Sequence, residues 1–380
     1  MAFNFHRAAQ FRKMEELPGL AATTIERTHS ESICAMRIAN IQSLIIALTA
    51  SLAASRADAQ RISSVADLRD AIAGARSGAR LSVPAGTFDI GATPLRIDGT
   101  RNVSIVGAGA GKTIIRASAS APYIFELAGS NDNLEVAGMT LEGAARLRKN
   151  THALASGPDR MNLTRARFHD LVIRNVAVGI SVAGTGNGIC DDVRISSNRL
   201  DNIQDVVTPE GTTSGSGYGI HNEGCSNVTI SHNTIRNADR HSIYQASAYQ
   251  PDRPRASGSI IIENNVIIDH GRTSSLPNEW QVALVVARSS NVVVSGNEII
   301  NPYHDAMSIE DAPEEGRALV IRNISLIDNV VRDGHAADLF LTASGTFTSR
   351  GNRYYHGDVI QRPTIRRNGR GVSGRLSPES

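Results

Sequence analysis

The sequence predicts an all-β solenoid, a single chain path wound into stacked turns of short strands. Three observations carry this. Six segments end alike, at Asn198, Asn233, Asn265, Asn297, Asn329 and, more loosely, Asn352. Their spacings are 35, 32, 32, 32 and 23 residues, and self-similarity at a near-fixed period marks stacked repeats. Thirty-three glycines and 4% aromatics in 380 residues suit a turn-rich β architecture better than a helical bundle. Each turn also divides into three short β-branched runs: one ends at the asparagine, a second follows at once (Thr234, Ile235), and a third starts near Ser242. Such a coil holds a long chain in one domain, because each turn buries its apolar face against its neighbours.

Composition narrows the function classes. A net charge of +2 with 41% hydrophobic residues is a folded composition and gives no support for nucleic acid as a partner. Residues 38–54 are the longest mostly apolar stretch, but they are short and carry Asn40 and Gln42, so they suit a membrane span poorly. Arg37 precedes them and the small-residue pattern Ala57-Asp-Ala59 follows. This predicts a secretory signal cleaved after Ala59, with a periplasmic or secreted product free of the membrane. Met36 stands where such a signal would begin. Residues 1–35 are then an untranslated upstream extension or, alternatively, a long leading region.

The remaining elements follow in order. Residues 64–76 repeat apolar positions near a helical period (Val65, Leu68, Ile72, Ala75) behind Ser63 or Ser64, which predicts a short amphipathic capping helix. Residues 79–90 read as strand–turn–strand, so 60–100 is expected to be an N-terminal cap. Strands are expected at 103–106, 113–116, 134–136, 139–141, 171–173 and 179–182, within a coil spanning 101–360. The Arg-, Gly- and Ser-rich 361–380 is expected to be a flexible tail. At the repeated corner, asparagine can satisfy turn backbone groups and its stacked neighbours and tolerates left-handed backbone, so the ladder is structural. Cys190 and Cys225 are 35 residues apart, like Asn198 and Asn233. They should lie on adjacent turns about 4.8 Å apart, within reach of a disulfide, with two buried thiols as the alternative.

Three stretches break the period, 207–217, 247–258 and 273–280, and loops on a repeat scaffold collect on one face as a binding wall. The corner beyond the ladder carries Asp205, Arg240-His241, Arg272 and His304-Asp305. Aligning the next strand on inward Ile180, Ile220, Ile243, Val285 and Ile309 turns Ser181, His221, Tyr244, Val286 and Glu310 outward. A histidine and a tyrosine then sit one strand spacing apart beside Arg240, His241 and Arg272. That set suits an acidic polysaccharide, whose uronate proton at C5 becomes labile once the adjacent carboxylate is neutralised. Arg240 and Asn222 would offset the carboxylate, His221 or His241 would take the proton, and Tyr244 would serve as acid or shared acid–base. Arg272, His304, Asp305 and Glu310 would line flanking subsites. Hydrolysis would instead need two carboxylates, for which Asp305, Glu310 and Asp311 are the candidates. A glycan-binding solenoid without chemistry is the non-enzymatic alternative. No zinc spacing occurs, and Gly107–Lys112 lacks phosphate-loop spacing. No cofactor or metal is expected; exposed carboxylates leave calcium open without selecting it. A monomer is expected.

The helix followed by strands resembles the N-terminal cap of right-handed parallel β-helix proteins of the pectate-lyase type. Over about 61–360 the chain resembles the β-helix polysaccharide lyases and the periplasmic mannuronan C5-epimerases. The motif-level resemblance is confined to 218–246. Tyr218-Gly-Ile-His-Asn222, followed one turn later by Arg240-His-Ser-Ile-Tyr244, looks like the epimerase layout of D-P-H and then H-G-I, with Gly219-Ile220 standing where Asp-Pro would be. Tyr244 is an acid–base group of the kind that suits lyases of this fold. The paired-Asp and G-H-G pattern of polygalacturonases and the W-x-D-H of pectate lyases are absent. The resemblance implies a single-stranded right-handed parallel β-helix and an exported enzyme that cleaves a uronic-acid polysaccharide by β-elimination. A uronan C5-epimerase or a glycoside hydrolase on the same fold are its alternatives.

Overall fold

Apolar residues one period apart stack into continuous columns, and these columns form the core. Ile173, Leu200, Ile235, Ile267, Ile299, Val331 and Tyr354 follow one another in parallel register along one face. Ile195, Ile230, Ile262, Val294 and Leu326 do the same along a second face, and Ile180, Ile220, Ile243, Leu284 and Met307 along a third. All of these are buried in one hydrophobic cluster. Three parallel ladders therefore wrap a single interior, as the three runs per turn require. The computed structural model describes residues 62–380 apart from 184–187, 207–213, 248–257, 275, 277–280, 311–320, 342–344, 368–374 and 377–380. The expected signal segment lies outside the described residues. Among the described residues no helix is long and apolar enough to cross a membrane.

The capping helix runs over Val65–Ala73 and buries Leu68, Ala71 and Ile72. Ser64 is its N-cap: its hydroxyl accepts from the Asp67 amide, and the Asp67 carboxylate accepts from the Ser64 amide. This reciprocal pair satisfies amides that the first helical turn leaves without partners. The coil begins earlier than residue 101. Arg80–Val83, Gly86–Gly91 and Leu95–Asp98 already pair in parallel with the turn that follows. It also continues past 360, because Ile365–Arg367 pairs with Leu339–Leu341 and Arg375–Leu376 with Gly345–Arg350. The last full turn leaves its backbone groups open, and these strands fill them.

The asparagine column is a hydrogen-bonded chain. The Nδ2 of Asn198, Asn233, Asn265, Asn297 and Asn329 each donates to the Oδ1 of the next member at 2.9 Å. That same oxygen also accepts the preceding member's backbone amide at 2.9–3.0 Å. Left-handed backbone is not what selects asparagine here. The positive φ falls one residue earlier, at Ser197, His232, Asn264, Gly296, Asp328 and Gly351. Asparagine is used for its amide, which is buried and both donates and accepts. A second column at another corner, Asn175, Asn202, Asn237, Asp269, Asn301 and Asp333, does adopt positive φ. Cys190 and Cys225 are disulfide-bonded with their Cα atoms 4.5 Å apart, consistent with neighbouring turns.

Candidate functional site

The third face carries the polar strip. Its strands are Tyr123–Asp132, His152–Thr164, Val178–Ala183, Tyr218–Glu223, His241–Ala246, Val282–Ala287 and Asp305–Glu310. One outward column runs Tyr123, His152, Val178, Tyr218, His241. The next runs Glu126, Ala155, Ser181, His221, Tyr244, Val285, Ser308. Tyr218 and His221, three apart, are both half-buried, while Gly219 and Ile220 between them are buried. A Cβ on Gly219 would sit 2.5 Å from the Ser242 carbonyl oxygen and 3.0 Å from Ile235 Cγ2, inside the coil. Glycine lets neighbouring turns approach there, while Tyr218 stays outside.

Four rings meet on these two rungs. Tyr218 lies 4.9 Å from His221, 5.4 Å from His241 and, edge on, 5.6 Å from Tyr244, measured between centroids. Tyr244 lies 5.3 Å from His221 and stacks on His241 at 5.3 Å. Arg240 covers the Tyr218 ring at 4.9 Å and donates to the Gly215 carbonyl. On the other flank Arg288 donates to Glu223 at 3.2 Å. Two guanidinium groups thus bracket a patch of rings.

The hydrogen bonds assign tautomers. His241 Nδ1 is 2.9 Å from the Val282 carbonyl oxygen. A carbonyl only accepts, so neutral His241 carries its proton on Nδ1 and presents Nε2 as a base. His221 Nδ1 is 3.0 Å from Ser181 Oγ, and its Nε2 faces Glu223 at 3.6 Å, an ion-pair separation rather than a hydrogen bond. Burial pulls His221 down to about 4, and His152, Arg240 and Arg288 push the same way. Burial also holds His241 well below the usual histidine range against the opposing pull of the Val282 carbonyl. Both rings are therefore neutral at pH 7. Tyr244 and Tyr218 are pushed up, mainly by burial and against nearby arginines, so both keep their phenolic protons.

Of the expected site residues, Arg240, His241, His221 and Tyr244 converge on this patch. Asn222 does not: it is fully buried inside the coil, donates to Gln245 Oε1 at 2.6 Å and accepts from the Cys225 amide. The strand alternation that turns His221 outward turns Asn222 inward. Asp305 is buried and accepts from the Ala337 amide at 3.1 Å, a structural engagement that removes it from the exposed strip. Arg272 and His304 lie at the corner, with His304 beside Gly271 and close enough to lower buried His270. Glu310 accepts from Ser308 and is in register with Ala287, two positions from the Tyr244 column. The expected alignment shifts at the fourth turn: Leu284 and Met307 continue the Ile243 column, Val285 and Ser308 follow Tyr244, and Val286 turns inward, while Ile309 is inward as expected but two positions further along the strand. The turn before Val282 differs in length, and counting from the ladder fails there. Asp311 lies outside the described residues. Among the described residues no group of three His, Cys, Asp or Glu is set to hold a metal ion.

Sequence reasoning set Ser181 in the outward column beside His221, as observed, but missed Tyr218, Glu223 and Arg288 as members of the patch. Tyr218 follows a long loop that hides its offset from the ladder, and Arg288 reads as a turn residue in Ala287-Arg-Ser-Ser290. The usable signal was the strand register itself, which puts Tyr218 beside His241.

A family model described as "Right handed beta helix region" matches residues 149–362, more than half of the chain. No curated protein matches it. Among solved structures, an alginate lyase from Paenibacillus sp. str. FPU-7 is similar at 16% identity with a TM-score of 0.58, covering 77% of this chain and 93% of that one. The tailspike protein of Acinetobacter baumannii phage AM24 is similar at 14% identity with a TM-score of 0.52, covering 85% and 53%. The mannuronan C-5 epimerase AlgE4 A-module of Azotobacter vinelandii reaches a TM-score of 0.43 at 15% identity, covering 83% and 94%. At these identities the likeness is one of fold.

Proposed function

Because the chain belongs to the right-handed β-helix family, whose solenoid face offers a long outward strip, we propose that it is an exported lyase that cleaves a uronic-acid polysaccharide by β-elimination. One observation carries the reading: Tyr218, His221, His241 and Tyr244 meet on two adjacent rungs between Arg240 and Arg288. Elimination at a uronate needs a cation on the carboxylate, a base at C5 and an acid at the leaving O4. Arg240 takes the first role, and Arg288, nearly buried and paired with Glu223, adds positive charge from the flank, while Asn222 is buried inside the coil and takes none. His241 Nε2 is the base, since its tautomer leaves that nitrogen unprotonated. Tyr244, stacked on His241 and held as a neutral phenol, protonates O4. His221, held between Ser181 and Glu223, positions the Tyr244 ring and the sugar.

The electrostatics couple binding to basicity. Arg240 is among the causes that depress His241, after burial. A bound uronate carboxylate would offset that positive charge and make His241 a stronger base in the complex than in the free protein. Incubating the mature protein with alginate, polyglucuronate, hyaluronan and pectate tests the proposal. The expected result is rising absorbance from the unsaturated uronate end on one of them. New reducing ends without that absorbance would point to a hydrolase, deuterium entering C5 without cleavage to an epimerase, and glycan binding without chemistry to a lectin-like solenoid.

A further inference from the structure

A second polar concavity lies on the same face, toward the N-terminal end of the coil. A cavity of about 450 Å³ is lined by Tyr123, Arg148, Lys149, Asn150, His152 and Ser214, among others. Its floor continues the ring column of the site, since Tyr123 and His152 stand in register with Val178 and then Tyr218. The Tyr123 and His152 rings are 5.3 Å apart and tilted. His152 Nδ1 is a buried polar atom with no hydrogen-bond partner among the described residues, so the cavity wall holds an unmet polar group. Arg148 and Lys149 are exposed at its rim.

These features are what a charged sugar requires: a ring wall for the apolar sugar face, side-chain donors, and two cations for a carboxylate. The distance also fits. Successive rungs are about 4.8 Å apart, close to the repeat of a pyranoside chain, so a polysaccharide lying along the strip meets a new rung with each sugar. Tyr123 and His152 are three and two rungs from Tyr218.

We propose that this cavity is a distal subsite that captures the carboxylate of a second uronate unit, two to three sugars from the cleavage patch, through Arg148 and Lys149, with Tyr123 and His152 against the ring. The inference rests on the uronan reading above and adds to it a chain-length preference. An oligouronate too short to span from the Tyr218 patch to Tyr123 gains nothing from the cavity.

Equilibrium binding of oligoalginate and oligogalacturonate dimers and hexamers to the wild-type protein and to Arg148→Ala/Lys149→Ala tests it. Elimination is followed separately by absorbance, and melting temperature reports folding. Wild-type affinity should rise from dimer to hexamer by about tenfold for each cation engaged. The double variant should lose that rise, and carboxyl-reduced hexamers should show none with either protein. Equal hexamer affinities for the two proteins, or no binding of any oligouronate by the wild type, would overturn the subsite. A length-dependent loss in the variant without elimination by the wild type would keep the subsite and reject the lyase reaction. A refolding defect is separated by Arg148→Lys, which keeps the charge and should retain part of the rise.

Discussion

At the scale of single residues, acid and base are set apart by their surroundings. Both histidines of the patch sit below their ordinary range and both tyrosines above theirs, and burial is the leading cause in each case. A base must be deprotonated to act and an acid protonated. His241 therefore limits activity only at pH values below 6.5, and Tyr244 only above 10.0, the ordinary values from which each is shifted. The plot of kcat/KM against pH should show a plateau across this whole interval, and an acid limb above pH 7 would exclude His241 as the base. Tyr244→Phe removes one hydroxyl and keeps the ring stack on His241. It should lower kcat by about a hundredfold to ten-thousandfold with an unchanged circular dichroism spectrum. A loss confined to KM would assign Tyr244 to binding.

At the scale of elements, the asparagine column is the chief polar support of the coil. Asn265 donates to the Ile230 carbonyl and to Asn297, and accepts from both the Asn233 amide and its side chain. Asn265→Ala leaves buried groups on two neighbouring turns without partners. It should cost about 3 kcal/mol or more in urea unfolding, whereas exposed Arg236→Ala should cost within about 0.5 kcal/mol. This column was plain in the sequence because the same residue type recurs at the same step. The disulfide and the inward isoleucines were readable for the same reason, since each is located by counting from an asparagine. Counting failed where a turn changes length, so Val285 was placed inward in place of Leu284, and Ile309, inward as expected, was set in the column that Met307 occupies. It failed again where chemical type outweighed geometry: Asn222 has the right donor for a carboxylate, yet its place after Ile220 and His221 sends it indoors. Arg288 was invisible because its partner Glu223 is 65 residues away and two rungs off.

At the scale of the whole coil, the turns share one interior, and among the described residues His152, His221, His241 and His270 are held below the ordinary histidine range. His152 and His221 are lowered to about 4 and His270 to about 3, in each case chiefly by burial. The unfolded chain binds protons at these sites near pH 6.5 and the folded coil does not, so stability is fully present above 6.5 and declines as the pH falls toward these lowered values. His270 alone, with Ser242 Oγ 3.1 Å from its Nδ1, should remove about 3 kcal/mol between pH 7 and pH 4. His270→Gln should flatten that part of the pH-stability curve measured by urea titration.

The amide chain through the corners has one more property, its sense of direction. Every link from Asn198 to Asn352 passes a proton donor the same way, toward the C-terminal end. Rotating one amide by half a turn would set oxygen against oxygen on one side and nitrogen against nitrogen on the other. Backbone partners fix each amide as well, since its Oδ1 accepts a backbone N–H and its Nδ2 donates to a backbone carbonyl, so every member is held the same way round and the links reinforce one another. From Asn198 to Asn352 the coil therefore carries a one-way polar thread, independent of any charged residue.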